Sequence, residues 1–177
     1  METSKKILAL DSSGLVASVA VVEGNSTYSN LLAEYTVNYK KTHSQTLLPM
    51  LDEIANMTEL DLTTIDAIAI AAGPGSFTGL RIGSATAKGL GLALKKPLIS
   101  IPTVDALAYN LYGTDRLICP IMDARRNQVY TGIYEFRGNT MEVLEPQMAV
   151  DIEVIAEKLC ERQQDVIFLG DGVPVFK

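Results

Sequence analysis

The stretch of this 177-residue chain with the most to offer chemically runs from Gly73 to Gly83, GPGSFTGLRIG. It stands between a buried-strand pattern and a helical one. Its glycines, Gly73 and Gly75 first among them, allow positive φ and close backbone approach, and the first turn of the following helix leaves N–H groups that suit an anion or a carbonyl. It is not a Walker loop, since no Gly-Lys-Ser/Thr follows, and it misses the GxGxxG pattern because Thr78 stands at the third glycine. Spacing alone leaves two readings, a tight structural turn and a loop lying against a nucleotide or a partner. Asp11, followed by Ser12 and Ser13, ends the first strand pattern, where a carboxylate can hold metal-bound water or phosphate in a cleft, or can cap its own turn. Asp123-Ala124-Arg125-Arg126 comes at the equivalent place later in the chain, its arginines either a solvated turn or a basic contact for an acidic partner or RNA.

Familiar catalytic constellations do not assemble. His43 is the one histidine in the sequence, so there is no imidazole pair for zinc, and neither GxSxG nor HExxH occurs. His43 precedes an apolar helical pattern and reads as a near-cap residue. Asp52 and Glu53 are neighbours on that helix and point in different directions. Cys119 and Cys160 are too few and too far apart for a disulfide framework or a metal knuckle, and read as buried, reduced thiols.

The helix after the glycine loop says more. Gly79, Gly83, Ala87 and Gly91 recur every four residues and form one smooth strip. Glycine inside a helix costs ~1 kcal/mol relative to alanine, so Gly83, Gly89 and Gly91 together cost about 3 kcal/mol. Close backbone packing must offset that, either on the chain's own sheet or, the reading preferred at this point, wholly or partly on another protein. The second reading predicts that Gly83→Leu leaves a folded chain unable to associate.

The elements that must position these residues follow from periodicity. Lys5 to Asp11, Val16 to Val22 and Leu31 to Val37 read as an antiparallel meander. Thr42 to Met57 carries Leu47, Leu48, Leu51, Ile54 and Ala55 at helical spacing, with Thr42 and Gln45 as a capping box. Pro49 either sits in the first turn of a helix starting near Thr46 or kinks a longer one. Ala67 to Ala72 is a buried strand, Leu80 to Leu94 a helix, Leu98 to Ile101 a strand, and Thr103 to Tyr112 a helix with Thr103 as N-cap. After Gly113 the chain restarts. Leu117 to Asp123, Gln128 to Phe136 and Met141 to Glu145 are strands, Asp151 to Arg162 is an amphipathic helix, and Val166 to Leu169 is a strand before Gly170-Asp171-Gly172. The expected domains are 1–113 and 114–177, the second a repeat that stops short.

Composition bounds the function. With 47% apolar and 20% charged residues the chain can build a core, which excludes disorder. Lys88, Lys95 and Lys96 interrupt the most apolar stretch, no signal peptide is legible, and a cytoplasmic location without membrane contact is expected. A net charge of −6 is the wrong sign for holding polyanionic nucleic acid unaided, so RNA would be carried by a partner.

Taken together, KKILALDSSGLVASVAVV, HSQTLLPMLDEI, IDAIAIAAGPGSFTGLRIG with KGLGLAL, IPTVDALA and CPIMDARRNQVYTGIY resemble the TsaB (YeaZ) family. These are bacterial tRNA threonylcarbamoyladenosine biosynthesis proteins of the actin-like ATPase superfamily. The resemblance runs over essentially the whole chain. It implies an α/β, actin-like ATPase (ribonuclease H-like) fold of two β-β-β-α-β-α units, the second truncated. It also implies a non-catalytic paralogue of TsaD that dimerises with TsaD, or with itself, and joins TsaE in a ternary complex. That complex transfers a threonylcarbamoyl group to the adenosine beside the anticodon of ANN-decoding tRNAs, with tRNA touching this subunit only indirectly. Pairing in the family uses helices matching Ser44 to Met57 and Gly79 to Leu94. The contact residues this implies here are His43, Leu47, Met50, Leu51 and Ile54 on one helix, with Gly79, Arg81, Gly83, Ala87 and Gly91 on the other.

No catalytic residue, cofactor or metal of its own is implied. The places of the catalytic relative's histidine pair hold Pro102-Thr103-Val104-Asp105-Ala106. Asp11-Ser12-Ser13-Gly14 lacks the glycine of the superfamily's Asp-x-Gly-Ser/Thr phosphate motif, so Asp11, Ser12, Ser13, Gly73 and Gly75 read as a vestigial nucleotide cleft. The alternative is an enzyme, either a nucleotide hydrolase or kinase of the superfamily using Asp11, or a residual peptidase.

Overall fold

The computed structural model describes residues 3–39 and 43–176, which form two compact units, residues 1–101 and 102–177. In the first, β1 (Lys5–Asp11), β2 (Ala17–Gly24) and β3 (Ser29–Val37) form the expected meander. The chain then crosses through α1 (Leu47–Met57) to β4 (Ala67–Ala71) and through α2 (Phe77–Leu94) to β5 (Leu98–Ile101). Helical crossovers return the chain in the same direction, so β4 and β5 are parallel to β1 while β2 and β3 are antiparallel, giving the order β3-β2-β1-β4-β5.

Alternation decides the covered face. Leu8 and Leu10 lie opposite Val21 and Val19 on one side and Ile68 and Ile70 on the other, and all six are buried with Leu47, Met50, Leu51 and Ile54 of α1. Each such side chain taken fully from water contributes about 1.5–3 kcal/mol. Helix α1 begins after Thr46, so Pro49 falls in the first turn, where its missing N–H would have had no helical acceptor. That settles the two readings of Pro49. Thr42, the first member of the expected capping box, lies outside the described residues.

The second unit comprises α3 (Thr103–Tyr109), β6 (Leu117–Arg125), β7 (Gln128–Arg137), β8 (Thr140–Asp151), α4 (Ile152–Arg162) and β9 (Val166–Leu169). The sheet order is β8-β7-β6-β9, with β9 parallel to β6 and the rest antiparallel. Both faces of β6 are covered, which is why it reads as a continuous apolar run. Leu117, Cys119 and Ile121 pack with Ile155 and Leu159 of α4, whereas Ile118 and Met122 pack with Val104 and Ala108 of α3.

Three expectations shift here. Helix α3 falls in the second unit, so the division comes between Ile101 and Pro102 and not after Gly113, because its apolar face is buried on β6 and β7 and its Asp105 accepts a 2.7 Å hydrogen bond from the Tyr134 hydroxyl. Pro102, not Thr103, holds the cap position of α3: its ψ of 130° is non-helical, and its carbonyl accepts from Ala106 N. Strand β8 runs to Asp151, not Glu145. The register slips opposite Thr131 to Tyr134, and that irregularity accommodates Pro146, which has no N–H to give a ladder.

Candidate functional site

The first unit's loops converge around Ser12 and Ser13. Both are buried at the end of β1, and their hydrogen bonds are internal. The Ser13 N–H donates to Asp11 Oδ1 at 2.7 Å, the Ser13 carbonyl accepts from Ser76 N at 2.6 Å, and the Ser12 hydroxyl donates to the Gly79 carbonyl at 2.9 Å. Ser76 caps α2, its Oγ accepting from Gly79 N at 3.3 Å. His43 Nε2 lies 2.8 Å from the Gly14 carbonyl and so donates to it. A Cβ on Gly75, whose φ is +155°, would run into the Ser13 carbonyl.

Two of the N–H groups that could face a phosphate, on Ser13 and Ser76, therefore bond to this chain's own oxygens. Asp11, Ser12, Ser13 and Gly75 lie together here, and Gly73 starts the same turn as Gly75 at φ +104°. What they build is a closed clamp between the β1–β2 turn and the start of α2. Asp11 caps its own turn.

The small-residue strip turns inward. Gly79, Gly83, Ala87 and Gly91 are the buried residues of α2. A Cβ on Gly79 would collide with the Ser12 carbonyl, and one on Gly83 with Ser12 Oγ and, at 3.0 Å, Ile70 Cδ1. One on Gly91 would lie 2.9 Å from Leu98 Cδ2. The strip is filled by the Ser12 turn, β4 and β5 of its own unit, which corrects the expectation that it receives a foreign backbone. Leu47, Met50, Leu51 and Ile54 are likewise corrected, being core residues at 4% exposure or less. Of the contact residues expected on these two helices, Arg81 stays on the outer surface, and His43 is half-buried against the loop.

Besides Arg81, the outer surface of α2 carries large side chains that were not among the expected contact residues. Phe77 is 68% exposed, Leu92 is 82% exposed, and Arg81, Ala85 and Lys88 lie between them with half-buried Ser84. The Arg81 guanidinium sits 3.9 Å over the Phe77 ring, a cation–π contact. Leu48 of α1 is 52% exposed. Phe77, Arg81, Ser84, Lys88 and Leu92 also recur at helical spacing, a signal masked by the more regular glycines.

In the second unit, Asp105 lies in the first turn of α3 and is bonded to Tyr134. Burial first, and then the Asp105 carboxylate, push the Tyr134 hydroxyl far above the usual phenol range. Burial also pushes the Cys119 thiol up to about 11, partly opposed by its contact with Thr131 Oγ1 at 3.3 Å. Cys160, expected to be buried, is exposed on α4 because it falls one residue beyond the core-facing Leu159. Glu145 on β8 receives Lys158 Nζ at 3.0 Å and Arg162 at 3.1 Å from α4, and these hydrogen bonds, Lys158's the larger, hold its carboxyl low. Among the described residues no group of three His, Cys, Asp or Glu side chains is arranged to hold a metal. Among the described residues no helix is long and apolar enough to cross a membrane.

Two units that each run through three antiparallel strands, a crossover helix and a parallel strand define an α/β protein of the actin-like ATPase type. The family model of TsaD, tRNA N6-adenosine threonylcarbamoyltransferase, matches residues 30–177. The Bacillus subtilis tRNA threonylcarbamoyladenosine biosynthesis protein TsaB is 35% identical over 171 residues, 97% of this chain and 73% of that protein. The Escherichia coli TsaB is 30% identical, covering 94% of this chain and 71% of that one. Among solved structures, YeaZ from Pseudomonas aeruginosa superposes with a TM-score of 0.71 at 30% identity, covering 82% of this chain and 67% of that one. The chain belongs to this family and, within it, to the TsaB (YeaZ) branch.

Proposed function

We propose that this chain serves threonylcarbamoyladenosine synthesis on tRNA as a non-catalytic subunit that pairs with TsaD, or with a second copy of itself, through the outer faces of α1 and α2. The name borne by its relatives supports the pathway. The observation that carries the pairing is the row Phe77, Arg81, Lys88 and Leu92, which holds large apolar groups in water on a helix whose other face is already packed. The closed clamp at Ser12 and Ser13 favours an accessory role over a nucleotide-driven one. TsaE would join the pair, and tRNA would be held mainly by the partner.

The test is Phe77→Asp combined with Leu92→Asp. Both side chains are exposed, so the variant should keep the wild-type unfolding midpoint within experimental error while losing self-association in sedimentation and co-purification with TsaD. A folded variant that still associates like the wild type removes this face from the interface.

A further inference from the structure

The turn joining β6 to β7 places three consecutive residues other than glycine in the left-handed region, Arg125 at φ 65°, Arg126 at 55° and Asn127 at 65°. Asparagine adopts that conformation readily, while arginine does so at a cost that glycine or a second asparagine would avoid. Backbone held against preference points to function when the surroundings over-determine it, and here they do. The Arg125 N–H donates to Asp123 Oδ1 at 2.7 Å, and the Asp123 N–H donates to Asp171 Oδ1 at 3.2 Å. Asn127 Nδ2 bonds Glu153 at 3.0 and 3.2 Å, and the Asn127 carbonyl accepts from Ile152 N at 3.2 Å. The turn is thus fastened to the Gly170-Asp171-Gly172 bend and to the start of α4.

Roles divide cleanly within this cluster. Asp123, Asp171 and Glu153 are committed to donors of the turn itself, whereas Arg125 and Arg126 are exposed and, among the described residues, have no ion-pair partner. Three of the other four arginines are engaged, Arg137 with Glu135 and Glu142, Arg162 with Glu145, and Arg81 with Phe77, while Arg116 is exposed and, among the described residues, also has no ion-pair partner.

We propose that the Arg125-Arg126 turn is a preorganised contact for carboxylates on the surface of the TsaD subunit, a reading that rests on the pairing proposed above and deepens it. Guanidinium forks match carboxylates and phosphates alike, and two of them on a fixed backbone suit one or two such groups presented at defined geometry. A run of phosphodiesters fits less well. The two cations share their turn with three carboxylates, on a chain of net charge −6, so the local field does not favour a polyanion.

The experiment compares the full chain with Arg125→Asn/Arg126→Asn, which removes both guanidinium groups and keeps residues that tolerate the left-handed turn, and with Arg125→Lys/Arg126→Lys. Binding to purified TsaD is titrated at several salt concentrations, binding to an ANN-decoding tRNA transcript is measured in parallel, and unfolding midpoints are recorded. The Asn variant should match or exceed the wild-type midpoint yet bind TsaD roughly 10-fold more weakly, with a shallower salt dependence, and the Lys variant should fall between. Unchanged affinity of the Asn variant for TsaD overturns the proposal, as does a loss confined to tRNA, which would assign the turn to phosphate. A wild-type chain that does not bind TsaD at all fails at the pairing itself and takes this contact with it.

Discussion

Gly83 and Gly89 sit six residues apart on α2 and should respond to substitution in opposite senses. Gly83 faces Ser12 and Ile70 with no room for a side chain, while nothing lies within 4 Å of a Cβ on Gly89. Gly83→Leu should therefore cost several kcal/mol, more than the ~1–3 kcal/mol usual for overpacking, because it also displaces the Ser12 hydroxyl from the Gly79 carbonyl. Gly89→Ala should stabilise by about 1 kcal/mol. Urea unfolding of the two variants checks both, and a fully stable Gly83→Leu protein would restore the outward-facing strip.

At the same scale, Cys119 predicts behaviour in alkali. Its folded pKa of about 11 lies above the ordinary value of 9.0, so the folded state keeps a proton that the unfolded state has given up. The stability this contributes is complete below the ordinary value and is lost as pH rises toward the folded one, amounting to roughly 2–3 kcal/mol over that window. Tyr134, also raised, extends the loss to higher pH. Urea midpoints measured from about pH 8 to 11 should fall for the wild type, and in Cys119→Ala the fall should be absent up to about pH 10, where Tyr134 begins to contribute.

At the scale of elements, the placement of α3 depends on one polar link within an apolar patch. Val104 and Ala108 supply the burial, Phe136 meets Tyr109 and Tyr112 edge-on at 5.6 and 5.2 Å, and the Tyr134 hydroxyl to Asp105 bond fixes the helix on β7. Tyr134→Phe keeps the ring and removes that bond, and a loss of about 1–2 kcal/mol in unfolding free energy is expected, with hydrogen exchange faster across Thr103–Tyr109 than across α4. Equal acceleration in both helices would mean that the link is not local.

Elements are legible wherever local pattern decides them. β5 and β9 have the bounds their apolar runs and flanking turns predict. The pattern ends β8 too early because Pro146 is a breaker in one dimension and an accommodated irregularity in two. Helix α2 begins three residues before its expected start, because the Ser76 cap outweighs the glycine-rich composition that makes the loop look longer.

For the molecule as a whole, charge sets a limit on partners. Fifteen basic against twenty-one acidic residues leave −6, and the chain alone should not retain tRNA in a gel-shift at physiological salt, whereas a complex with TsaD should. Tight, salt-sensitive binding by the isolated chain would move RNA recognition onto this subunit.

The two-fold recurrence of the strand and helix pattern and the family were legible in the sequence, because periodicity, turn chemistry and motif spacing are properties of neighbouring residues, whereas the meeting of the Asp11 and Gly75 loops at Ser13 is a long-range contact. The sequence also marked α2 as a helix needing close backbone contact. Which surface answers that need is settled by long-range packing. A row of glycines specifies how near another backbone must come and not whose backbone it is, and here the occupant is the Ser12 turn and the sheet beneath it. That assignment leaves Phe77, Arg81 and Leu92 facing outward, and it draws α3 to the second sheet, where its buried face and Asp105 find their partners.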